Sequence, residues 1–126
     1  MEKEFREWYI DVLKKYTVFT GRARRKEYWM FTLFNLIISI AISIVAQLFA
    51  KIPVIGLIFG LLPLIYAIAV LLPSLAVAIR RLHDTNRSGW FLLLALIPIL
   101  GVIILIIFFV QEGTPGDNQY GANPKA

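Results

Sequence analysis

Two clusters of polar side chains concentrate whatever chemistry this sequence can perform. One holds Arg22, Arg24, Arg25 and Glu27; the other holds Arg80, Arg81, His83, Asp84 and Arg87. His83 beside Asp84 has the form of a base with its orienting acid. Ser88 is the single candidate nucleophile nearby, so catalysis is not expected and no catalytic residue is assigned. His83 is the sole histidine and there is no cysteine. A metal site takes three or four donors, and Asp84 and Glu27 complete a poor set, so neither metal nor cofactor is expected.

A different chemistry suits these residues better. Glu27 and Asp84 are acids among many cations, and guanidinium matches carboxylate in two-point fashion. Each acid is expected to accept hydrogen bonds from an arginine of the other cluster, leaving the remaining arginines to face lipid phosphate. Three roles fit: a structural clasp that fixes helix packing and topology, a pocket for a specific lipid or ligand, and a docking surface for a cytoplasmic partner. The clasp is the preferred reading.

The elements that must position these clusters are apolar. Of the 126 residues, 59% are hydrophobic and 17% charged, against roughly 45–50% and 25% in soluble domains. The apolar residues fall in long runs that so small a soluble protein could not bury. An all-α membrane protein follows, one domain over residues 1–126. Residues 2–16 read as an amphipathic interfacial helix, with Phe5, Trp8, Tyr9, Val12, Leu13 and Tyr16 on one stripe. Transmembrane helices are expected over 28–50, 52–79 and 90–110, since about 20 apolar residues cross a bilayer. The second contains Pro63 and Pro73 and is expected to be one kinked or tilted span, with a shallow segment near 52–59. An irregular tail occupies 111–126. Trp8, Tyr28, Trp29 and Trp90 are placed as interface anchors. Gly56 and Gly60 form a G-x-x-x-G of the kind that lets helices approach closely.

The net charge of +5 lies beside apolar runs, which points to anionic lipid rather than nucleic acid. Lys3, Arg6, Lys14, Lys15, Arg22, Arg24, Arg25 and Lys26 precede the first span, and Arg80, Arg81 and Arg87 separate the second from the third. Lys51 and Lys125 alone fall on the other side of a three-span arrangement. The positive-inside rule then puts the N-terminus in the cytoplasm and the C-tail in the periplasm, unless residues 52–79 re-enter on the same side. Anionic membrane lipids are the expected partner, and a homo-oligomer or an unidentified protein partner is compatible with the sequence. The alternative function is a small transporter or channel component, with Asn35, Ser39 and Gln47 lining an oligomeric pore.

The pattern Phe19-x-Gly-Arg22-x-x-Arg25-x-Glu-Tyr-Trp29, then Arg80-Arg-Leu-His-Asp84, then Ser88-Gly-Trp90, then Gly113-x-x-Gly116-x-Asn118-x-Tyr-Gly121-x-x-Pro124 resembles the domain-of-unknown-function 805 family of small bacterial inner-membrane proteins. The resemblance runs from about Trp8 to Pro124. Asn86 stands where a glycine is common in the family, and Asn tolerates left-handed backbone. The resemblance implies a multi-pass protein of the bacterial cytoplasmic membrane and no reaction. Its emphasis on Asn118 sits badly with a tail on the far side: if Asn118 and Tyr120 pack against the polar cluster, the tail is cytoplasmic and the span count changes.

Overall fold

The computed structural model describes residues 5–124, without the Phe5 side chain. The first residues of the expected 2–16 helix, with Lys3 and Lys125, lie outside the described residues. The order is α1 (Phe5–Lys14), α2 (Arg25–Leu48), α3 (Ile55–Ala69), α4 (Leu71–Asp84), a 3-10 helix (Gly89–Leu96) and α5 (Leu100–Val110). Among the described residues there is no strand, only an isolated bridge between Asn118 and Gly121.

Helix α1 has Glu7 in its first turn and Lys14 in its last, both favourable to the helix dipole. Its apolar stripe is spent on protein. Val12 is fully buried with Ala23, Phe31 and Val77, and the Tyr9 ring stacks on Phe31 at 5.3 Å. Trp8, expected as an interface anchor, is 5% exposed, while Ile10 and Tyr16 remain outside. The helix therefore docks on α2 and α4 instead of presenting its whole aromatic stripe outward.

Two helical segments are long and apolar enough to cross a bilayer, Arg25–Leu48 and the run Ile55–Asp84. At 1.5 Å per residue they are about 36 and 45 Å long. In each, 11% of the most apolar window is buried, which argues against the core helix of a soluble protein. Leu36, Ile40, Ile44, Leu57, Leu61 and Ile68 all face outward, more contiguous apolar surface than a water-soluble monomer exposes. The two segments pack side by side as an antiparallel hairpin. The second is interrupted at Val70 between α3 and α4, because Pro73 has no N–H to return to the Ala69 carbonyl.

The expected single helix over 90–110 is not formed. The 3-10 helix leads outward from Ser88, the chain turns at Pro98 and Ile99, and α5 returns. Phe91 and Phe108 meet at 5.9 Å, and the Arg87 guanidinium lies 3.9 Å from the Phe108 ring centroid. Both ends of this hairpin are therefore at the arginine-bearing end of the molecule. Eight residues of 3-10 helix rise about 16 Å at 2.0 Å each, half the thickness of a hydrocarbon core of about 30 Å.

The far turns of the two hairpins carry one motif, Ile52-Pro-Val-Ile-Gly56 and Ile97-Pro-Ile-Leu-Gly101. In each the residue after proline has positive φ, +67° at Val54 and +66° at Ile99, strained for a β-branched side chain. The next amide returns to the proline carbonyl, Ile55 to Pro53 and Leu100 to Pro98, both at 2.7 Å. That is a three-residue γ-turn. The glycine follows because a Cβ at Gly56 would overlap the Ala50 carbonyl and one at Gly101 the Leu94 carbonyl. Gly60, by contrast, faces open space. The expected Gly56/Gly60 packing seam is thus not used within this chain; Gly56 serves the turn.

Candidate functional site

Helix α4 carries the polar centre. Its last turn buries Arg80, Arg81, Leu82, His83 and Asp84, and the two apolar clusters of the core flank it, one with α1 and α2, the other with α5 and the 3-10 helix. The core of this protein is therefore at its arginine end. Such burial demands that every charge there find a partner.

Two pairs cross between the clusters. Arg22 Nε donates to Asp84 Oδ1 at 2.9 Å, and Arg80 Nη1 donates to Glu27 Oε2 at 2.6 Å. A third pair, Arg81 Nη1 to Asp84 Oδ2 at 2.7 Å, spans one helical turn. Arg81 is fully buried and Asp84 is 1% exposed. Three buried guanidiniums thus face two carboxylates, leaving one cation in excess. Helix C-termini supply the remaining negative potential, since each carries about half a negative charge.

The arginines reach those termini directly. Arg81 Nε donates to Phe109 O at 3.1 Å and its Nη2 to Gln111 O. Arg25 Nη1 donates to Val110 O and Trp29 Nε1 to Phe109 O, both at 3.0 Å. These bonds satisfy carbonyls at the end of α5 that have no partner within the helix. The end of α4 is capped by the tail: Thr114 N–H donates to Asp84 O at 2.7 Å and Asn118 Nδ2 to His83 O at 2.9 Å. Arg22 ties the two together, donating to Thr114 O and Gly116 O at 2.7 Å each.

The tail, expected as irregular and remote from the arginines, is thus packed on them. Gly113 crosses the Asp84 carboxylate so closely that a Cβ there would overlap it. The Tyr120 ring stacks on His83 at 4.0 Å, nearly parallel at 2°. The tail and the N-terminal connector thus share one end of the molecule. The physical reason is the hairpin at Pro98, which returns the chain to its point of departure.

His83 and Asp84 do not act on each other. His83 Nδ1 lies 2.9 Å from Gly21 O; a carbonyl can only accept, so Nδ1 carries the proton. Both Asp84 oxygens are taken by guanidiniums. The Ser88 hydroxyl accepts from Trp90 N–H at the start of the 3-10 helix. Among the described residues, no three His, Asp or Glu side chains gather as a metal would require. Arg24 lies 5.7 Å from the Trp8 ring centroid, and Arg25 is exposed apart from its bond to Val110. Arg22, Arg80 and Arg81 are buried inside the protein and are not available to lipid phosphate. Tyr28 packs on Phe109 at 4.5 Å. Trp90 is 79% exposed, the one expected anchor that stands fully outside. Asn86 adopts a φ of +61°.

Sequence reasoning missed the capping role of Arg25 and Arg81, the contacts of Gly113 and Thr114 with Asp84 and of Gly116 with Arg22, and the duplicated turn. The Ile-Pro-x-x-Gly repeat was the available signal for the turn. Backbone capping left no sequence signal, because a carbonyl partner carries no residue identity.

The chain belongs to the family described as a protein of unknown function, DUF805, whose model matches residues 16–122. It is 51% identical over 119 residues to the inner membrane protein YhaI of Escherichia coli strain K12, covering 94% of this chain and 96% of that protein. It is 50% identical over 119 residues to the inner membrane protein YhaH of the same strain, covering 94% of this chain and 97% of that protein. No solved structure matches the chain.

Proposed function

We propose that this family member is a non-enzymatic, multi-pass protein of the bacterial inner membrane that crosses twice and keeps both termini in the cytoplasm. In this reading α2 and the α3–α4 run are the crossings. The 88–113 hairpin enters the bilayer from the cytoplasmic face and returns to it. A rim of cations around the clasp engages anionic lipid headgroups.

One observation carries the reading. Of the basic side chains described, Lys51 stands alone in the far turn, while Lys14, Lys15, Arg24, Arg25, Lys26 and Arg87 surround the arginine end. Such a distribution is the positive-inside pattern, now with the tail on the basic side. Lys14, Lys15 and Arg25 are exposed, and each cation near an anionic surface contributes about 1 kcal/mol. The names of the relatives supply the inner membrane. A non-enzymatic role is supported by the engagement of His83 Nδ1, both Asp84 oxygens and the Ser88 hydroxyl in structural bonds.

The test uses the full chain in nanodiscs of mixed phosphatidylcholine and phosphatidylglycerol. The fraction of spin-labelled phosphatidylglycerol immobilised by the protein should exceed that of labelled phosphatidylcholine. The preference should fall in a Lys14→Gln, Lys15→Gln variant. Equal immobilisation of the two lipids removes the lipid-engaging part of the proposal.

A further inference from the structure

Between α2 and the α3–α4 run lies a cleft of about 380 Å³, lined by Asn35, Ser39, Ser43, Tyr66 and Ser74 together with Pro63 and the interruption at Val70. Its size is within the range of small-molecule sites, roughly 300–1,000 Å³. Asn35 to Ser43 lie about 15–27 Å along α2 from Arg25, at 1.5 Å per residue. That is hydrocarbon depth if α2 and α3–α4 are spans, and the inference rests on that reading.

Three observations mark the cleft as more than a packing gap. First, several of its polar groups have no hydrogen-bond partner among the described residues. Thr32, about two turns into α2, donates its hydroxyl to the Tyr28 carbonyl at 2.9 Å, the usual way a helical hydroxyl is satisfied in hydrocarbon. Among the described residues, the hydroxyls of Ser39, Ser43 and Ser74 have no such bond, and Asn35 engages only its Oδ1. Second, one end is closed by an ordered chain of hydrogen bonds. Tyr66 donates to Asn35 Oδ1 at 2.7 Å, so its hydroxyl accepts from Tyr9 at 2.7 Å. Third, the helix interruption at Val70 forms part of the wall, and secondary transporters build their midplane sites from interrupted helices.

The chemistry of the occupant follows. No charged side chain lines the cleft, so an ion would meet no countercharge at a depth where an unpaired charge is very costly. A smaller groove, lined by Ser39, Ser43 and Gln47 with Ile40 and Ile44, continues along the outer face of α2. Ser43 and Gln47 are exposed there, which gives the cleft an entrance on the lipid side, while Tyr9 shuts the arginine end. We propose that the cleft binds an uncharged, lipid-soluble amphiphile that enters from the bilayer and places hydroxyl or carbonyl oxygens against Ser39, Ser43, Ser74 and Asn35 Nδ2.

The test compares two photoreactive probes on the full chain in nanodiscs: an octanol bearing a diazirine and the corresponding diazirine-bearing octane. The octanol should label the segments 35–43 and 66–74 about fivefold more than the octane does, the worth of about one net hydrogen bond. Unlabelled octanol should compete. Asn35→Leu, Ser39→Val, Ser43→Val and Ser74→Val together should abolish the preference, and Ala67→Phe, which fills the cleft, should abolish labelling there. Thermal unfolding of each variant reports whether the fold survives. Equal labelling by both probes, or a preference that persists in the combined variant, overturns the proposal. Leu57 and Leu61 separate the two levels of failure. If they take both probes while the cleft shows no preference, the binding site alone is refuted. If they take neither, the span reading fails and the site fails with it.

Discussion

Replacing Asp84 by asparagine tests the polar centre most sharply. The substitution keeps the side-chain volume and removes the charge that two guanidiniums share, at 2.9 Å from Arg22 and 2.7 Å from Arg81. All three side chains are at most 2% exposed, so solvent screening does not soften the loss. Hydrogen bonds to a charged group contribute about 1.5–3 kcal/mol each, which for two gives about 3–6 kcal/mol. Breaking a buried ion pair from one side costs about 3–5 kcal/mol by comparison with other proteins. The two routes agree on about 3–5 kcal/mol. Carbonyl partners keep both arginines partly satisfied, since Arg22 retains Thr114 O and Gly116 O and Arg81 retains Phe109 O; that places the expectation at the lower half of the range. The assay is reversible denaturation of the purified protein in detergent, for wild type, Asp84→Asn, Arg22→Met and the double variant. The cycle should return a coupling of at least about 1.5 kcal/mol between Arg22 and Asp84. A total loss below about 1 kcal/mol, or additive losses in the cycle, would refute a buried ion pair as the organiser of this end.

Gly113→Ala should detach the tail, because its Cβ would overlap a carboxylate that two arginines hold in place; limited proteolysis at residues 113–121 should accelerate in the variant and not in the wild type. Gly56→Ala should destabilise the far turn by about 1–3 kcal/mol through overpacking against backbone, whereas Gly60→Ala, which meets open space, should be neutral or stabilising by up to about 1 kcal/mol; denaturation midpoints of the two variants decide. Tyr120→Ala should expose His83 by removing the ring stacked on it, and exchange of the imidazole with solvent, read by NMR, should quicken while the pairs of Arg22 and Arg80 persist.

Much of the fold is legible in the sequence, for identifiable reasons. The apolar runs, their proline positions and the clustered arginines are all local signals, and α2 and the kinked α3–α4 run arise from them directly. The hairpin is less legible because the run from Trp90 to Val110 has the length and hydropathy of a span. Only Pro98 and Gly101 betray the turn, and each alone is tolerated within a membrane helix. Their recurrence with isoleucine, as at Ile52 to Gly56, is the stronger sign. The tail is illegible for another reason. Its partners are the carbonyls of His83 and Asp84 and the guanidinium of Arg22, reached across thirty residues or more. No periodicity records such contacts. Likewise the amphipathic stripe of α1 specifies that Trp8 and Val12 must leave water, and leaves open whether lipid or protein receives them.

The absence of native cysteine makes the central claim directly measurable. Single cysteines placed at Lys15, Lys51, Asn86 and Ala122 can be reacted in inverted and right-side-out membrane vesicles with a membrane-impermeant maleimide. Two crossings and a re-entrant hairpin predict that positions 15, 86 and 122 react from the cytoplasmic side and position 51 from the periplasmic side. Reaction of position 122 from the same side as position 51 would mean that the last apolar run crosses the bilayer, and would contradict the account.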